Sequence, residues 1–112
     1  MVTRKGSRRS QVIKSKEFGG LYNASGSTPI DAFYNILNRI YYSTDYHGHR
    51  GETEFTDKHG KSVSEHFFMT HGGDFETDYY FVEDPDPYII YGSITKKGKR
   101  WVATATISPV EV

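Results

Sequence analysis

Apolar and polar positions change their period along this chain, and the change predicts its elements. Between Thr28 and Ser43, Ile30, Phe33, Tyr34, Leu37, Ile40 and Tyr41 recur at helical spacing and form one stripe. Thr28 can take up an orphan amide as N-cap, and Pro29 stands at the first helical position, where no amide is needed. Asp31 lies where the helix dipole favours a negative charge. The pattern predicts a long helix over about residues 29–42.

In the last third the period falls to two. DFETDYYFV, YIIYGSIT and RWVATATIS are rich in β-branched and aromatic residues, and EDPDP and KKGK read as the turns between them. They predict an antiparallel β-meander over about 74–108. Trp101, Ala103, Ala105 and Ile107 fall on one face of the last strand, the expected core face, and Val102, Thr104 and Thr106 on the other. Asp74, Glu76 and Asp78 share one face of the first strand, and KKGK would lie at their end of the sheet, where its charge could offset theirs.

The remainder is less regular. GGLYNASGS reads as a loop, GETEFT as a short strand and DKHG as a turn. Ser62 with Glu65 makes a capping-box pattern and Gly72 a stop, favouring a second, short helix at 63–71. A strand pairing with 52–56 competes with it. QVIKSKEF reads as a short strand with Val12 or Ile13 facing inward, and residues 1–17 are by composition a flexible basic arm. The expected class is α+β: one long helix and a short one packed on the meander, in a single domain over 18–112.

Composition narrows the chemistry. The 112 residues include nine Tyr and seven Phe, too aromatic for a disordered chain, and no Cys, which excludes disulfides, thiolate metal sites and a Cys nucleophile. No apolar run nears the ~18 residues that span a bilayer, and the N-terminus lacks a signal-peptide core, so a cytoplasmic or nucleoid-associated protein is expected. Zero net charge conceals segregation. Residues 1–50 carry eight Lys/Arg against three acids, residues 51–95 two against ten, and residues 96–112 four against one. Segregation of this kind bears on partners more than on fold.

Three function classes follow. In the first, a non-enzymatic binding or accessory protein, Arg4, Lys5, Arg8, Arg9, Lys14 and Lys16 dock the arm on a polyanion such as RNA or DNA, or on an acidic surface. Tyr79, Tyr80, Tyr88 and Tyr91 of the acidic meander then meet a protein partner, because tyrosine joins apolar area to a polar handle. In the second, a histidine among His47, His66 and His71 acts as general base and acid. Arg50 or Arg100 stabilises a phosphorane, beside Thr104, Thr106 or Tyr91. Helical elements followed by a meander over about 29–108 resemble, in topology, the barnase/RelE-like ribonucleases, and that resemblance implies metal-independent RNA cleavage. In the third, His47, His49, His59, His66 and His71 with Glu52, Glu54, Asp57 and Asp74 bind a metal ion, although no ligand-frame spacing is present. GGLYNASGS lacks the lysine of a phosphate loop, and no cofactor is expected. The first class, without a metal or membrane, accounts for most of these features.

Overall fold

The computed structural model describes residues 21–44 and 48–110. They form an antiparallel six-stranded sheet with two helices on one face. In chain order the elements are β1 (Leu21–Gly26), α1 (Pro29–Ser43), β2 (Gly48–Thr56), β3 (Ser62–Val63), α2 (Glu65–His71), β4 (Gly73–Phe81), β5 (Asp84–Lys97) and β6 (Arg100–Pro109). The strands lie side by side as β1-β6-β5-β4-β2-β3. The class is α+β. None of the described helices is long and apolar enough to cross a membrane.

Helix α1 starts at the expected cap, with the Asp31 amide donating to Thr28 Oγ1 at 3.1 Å. It is a helix of 15 residues rather than a long one, and its buried face is rotated from the predicted stripe. Ala32, Phe33, Ile36 and Ile40 are fully buried, whereas Ile30 and Tyr34 are exposed. A short alanine allows close approach to the sheet, so packing set the phase rather than side-chain size. Phe33 is the hub. Its ring meets Phe55, Phe68 and Phe75 at centroid distances of 5.9, 5.8 and 5.0 Å. Each such pair contributes roughly 0.5–1.5 kcal/mol beyond area burial. Helix α2 brings Phe68 into this cluster, 4.6 Å from Phe55.

Local expectations are corrected in three stretches. LYNASG is edge strand β1, paired with β6 from Leu21↔Thr106 to Gly26↔Trp101, because Tyr22 and Ala24 alternate onto the core side. The stretch 62–71 is strand and helix in turn: Ser62 and Val63 pair with Thr56 and Phe55, and Ser64, not Ser62, caps α2 by accepting from the Phe67 amide at 3.1 Å. EDPDP is not a separate turn, since β5 begins at Asp84, which pairs with Phe81. Its prolines stand at the strand end, where few ladder amides are needed. Gly92 lies in mid-strand because the Phe75 ring and the Thr104 carbonyl occupy the space a Cβ would need.

The β2–β3 turn is built on Asp57. Its Oδ1 accepts from the amides of His59 and Lys61, both at 2.9 Å, and Gly60 supplies a positive φ of 84°. The Lys61 amide is the main reason that the carboxyl titrates below its ordinary 3.8; slight desolvation opposes it, and His59 assists. A depressed folded value means that the turn is supported above pH 3.8 and loses that support as pH falls through the folded value. The His59 and Lys61 amide resonances are expected to shift with a midpoint below 3.8 in the wild type. In Asp57→Asn they should stay fixed over the same acid range, which an NMR pH titration reads directly.

Candidate functional site: the open face of the sheet

Helices cover one face of the sheet, and the opposite side chains remain in a shallow open groove of about 390 Å³. Strand register orders this face into rows. The first row crosses five strands, Glu54–Glu76–Tyr91–Thr106–Leu21, each residue opposite the next. The second runs beside it as Thr56–Asp74–Ser93–Thr104–Asn23. Across five strands a row spans about 19 Å at ~4.8 Å per spacing. The first row runs from two acids through Tyr91 and Thr106 to the apolar Leu21. Tyr91 is 50% and Leu21 64% exposed, large apolar surfaces left uncovered in the same groove.

Among the described residues no basic side chain is paired with the acidic end. Glu54 and Glu76 stand directly opposite each other, a like-charge cross-strand pair that opposes sheet pairing. Asp74 and Glu76 are exposed, and Asp78 continues the run. The KKGK hairpin does stand at the Asp74 end, but the contacts of Lys96 and of the neighbouring Arg100 lie elsewhere. Lys96 lies 5.9 Å from the Trp101 ring centroid, and Arg100 Nη2 donates to Ser25 Oγ at 3.3 Å. Asp74 instead accepts from Ser93 Oγ at 2.7 Å. The expected relief of the acids by the hairpin is therefore absent from the described contacts.

A bulge in β2, between Arg50 and Thr53, positions Glu54. The buried Thr77 hydroxyl holds it by donating to the Glu52 carbonyl at 3.1 Å while accepting from Thr53. Beyond the bulge Arg50 points to the helix side, 5.6 Å from the Phe33 ring centroid, with Nη1 donating to Thr53 Oγ1 at 3.1 Å. At the far end His49 stacks on Tyr80 with centroids 5.6 Å apart.

The four tyrosines expected to meet a partner divide. Tyr80 and Tyr91 face outward, but Tyr79 and Tyr88 are 3% and 2% exposed and belong to the core. Side-chain alternation accounts for Tyr79 and Tyr80, neighbours on opposite faces. Tyr88 hydroxyl donates to Asp84 Oδ2 at 3.0 Å, whereas the buried Tyr79 hydroxyl has no hydrogen-bond partner among the described residues. Burial raises the Tyr79 pKa, and nearby Thr44 pulls it back slightly. Thr44 Oγ1 directs its own proton to the Ile40 and Tyr41 carbonyls rather than to the phenol oxygen. Tyr79→Phe is expected to leave stability unchanged or to raise it by up to about 1 kcal/mol. With a raised folded pKa, the wild type is fully stable below pH 10 and loses stability as the pH climbs further, a loss the Phe variant should lack. Urea melts at pH 7 and above pH 10 check both.

The described residues considered for RNA cleavage lie on different elements. His66 and His71 lie on α2. The His71 ring stacks on Phe67 at 4.2 Å, and its Nδ1 lies 2.8 Å from Thr70 Oγ1. Arg50 is on the helix side of the sheet, while Tyr91, Thr104 and Thr106 line the open groove and Arg100 contacts Ser25. His47 lies outside the described residues, as do Arg4, Lys5, Arg8, Arg9, Lys14, Lys16 and the strand expected in QVIKSKEF. Among the described residues no three His, Asp or Glu side chains converge on a metal position.

Sequence alone singled out Tyr91, Thr104, Thr106 and Glu76, but not the Glu54–Glu76 pair or Leu21. Alternation in ETEFT could have placed Glu54 opposite the buried Phe55, but no pattern along the chain gives the register that joins it to Glu76. No family model matches this chain, and no curated protein or solved structure matches it either.

Proposed function

We infer that this protein is a non-enzymatic interaction module whose open sheet face takes a basic, extended segment of a protein partner. The observation that carries this is the row Glu54–Glu76–Tyr91–Thr106–Leu21, two opposed carboxylates beside an exposed aromatic ring. A lysine or arginine over Tyr91 gains attraction from the ring face and from Glu76 together, and it relieves the repulsion between Glu54 and Glu76. Thr104, Thr106 and Ser93 offer hydroxyls to the segment's backbone, and Leu21 an apolar contact. A nucleic-acid backbone would be repelled by this face. The basic arm keeps its own affinity for polyanions or acidic surfaces, a second point of attachment.

The test is a fluorescence anisotropy titration with a labelled Lys/Arg-containing peptide of about six residues, long enough in extended form to cover one row. It uses the full chain and a variant with Arg4, Lys5, Arg8, Arg9, Lys14 and Lys16 changed to Gln. Saturable binding that weakens from low to physiological salt is expected for the variant at least. Single-stranded RNA, titrated in parallel with EDTA and then run on a denaturing gel, should emerge intact. No peptide binding by either protein would sink this function. RNA cleavage lost in His66→Ala or His71→Ala would replace it with the ribonuclease.

A further inference from the structure

We propose that the basic arm of this same chain occupies the acidic groove in cis and must be displaced before a partner binds there. This rests on the function proposed above and adds its regulation. The first described residue, Leu21, is itself a lining residue of the groove and the last member of the first row. The arm therefore joins the domain at the rim of the face that bears the acids. Residues 1–17 carry six Lys/Arg and one acid, the complement of Glu54, Asp74, Glu76 and Asp78.

Chain length permits the contact. From Leu21 along the row, Glu76 stands three strand spacings away and Glu54 four, about 14 and 19 Å. An extended chain covers at most ~3.3–3.6 Å per residue. Lys16, five residues before Leu21, can reach about 17 Å, and Lys14, seven before it, about 24 Å. Both carboxylates of the opposed pair thus fall within range of a lysine. Gly19 and Gly20 precede β1, and two glycines let the chain reverse over the sheet without steric penalty. Val12 and Ile13 add apolar side chains suited to a groove that exposes Tyr91 and Leu21. A tether this short gives an effective concentration in the millimolar range, so even a weak site is largely filled by the arm.

The experiment compares two full-length proteins: wild type, and the variant with Arg4, Lys5, Arg8, Arg9, Lys14 and Lys16 changed to Gln. All six positions lie outside the described residues. The probe is a labelled synthetic peptide of residues 4–17, read by anisotropy at low salt. The variant is expected to bind the peptide at least about tenfold more tightly than wild type, because its internal competitor is gone. Adding Glu54→Gln and Glu76→Gln to the variant should abolish the gain. Equal affinities in the two proteins would overturn the cis contact while leaving the groove a site for basic segments. Failure of both proteins to bind this peptide or the short Lys/Arg peptide would remove the proposed function as well.

Discussion

Replacing Phe33 by alanine is expected to destabilise the domain by about 3–5 kcal/mol, the range for truncating a fully buried phenylalanine. Phe33 is 0% exposed and touches the rings of Phe55, Phe68 and Phe75, which come from β2, α2 and β4. Removing it empties the point where both helices meet the sheet. The flanking backbone belongs to regular elements and cannot collapse far into the space, so the cavity contribution should be large. Domains of this size are stable by about 5–15 kcal/mol, so the loss is a substantial share of the total. Phe67→Ala is the control, on the exposed side of α2 with its ring on His71, and should cost about 1 kcal/mol or less. Urea melts by far-UV circular dichroism compare them. Equal losses in the two variants would contradict Phe33 as the hub of the core.

Reversing both opposed carboxylates, Glu54→Lys with Glu76→Lys, should weaken binding of a basic segment by about 100-fold or more, roughly 2.8 kcal/mol. Two attractions become two repulsions at the centre of the proposed contact. The single change Glu54→Lys adds a sharper signature. It converts a like-charge cross-strand pair into an opposite-charge one, which should raise stability by about 0.2–1 kcal/mol while lowering affinity. A surface position where the wild-type residue lowers stability yet supports binding is what a functional site predicts. If Glu54→Lys left both stability and affinity unchanged, the pair would be solvated surface. Thermal melts and anisotropy on the same samples separate these outcomes.

What was legible in the sequence follows the reach of each signal. The cap of α1 at Thr28 was readable because capping is local chemistry within four residues. The two faces of β6 were readable for the same reason, since alternation needs only neighbours along one strand. Strand β1 was not readable. LYNASG carries the Gly, Asn and Ser of a loop, and only pairing with β6, some eighty residues away, holds it extended. The face of α1 was misphased because Ala32 packs closely while Ile30 and Tyr34 stay exposed, a choice made by the sheet surface. In the candidate site, the acids of β4 and the hydroxyls of β6 could be read strand by strand. Their assembly into one row with Glu54 and Leu21 depends on register, which is a property of the folded sheet.

The most direct test of the central claim, that the open acidic face receives a basic segment, is an NMR titration of methyl-labelled protein with the short Lys/Arg peptide. The arm-neutral variant makes the measurement independent of the cis contact. The account predicts that the methyl resonances of Leu21, Thr104 and Thr106 on the open face shift and saturate. Those of Ile36, Ile40 and Ile94, buried on the helix side, should stay in place. Shifts confined to the helix side, or no shifts at all, would contradict it.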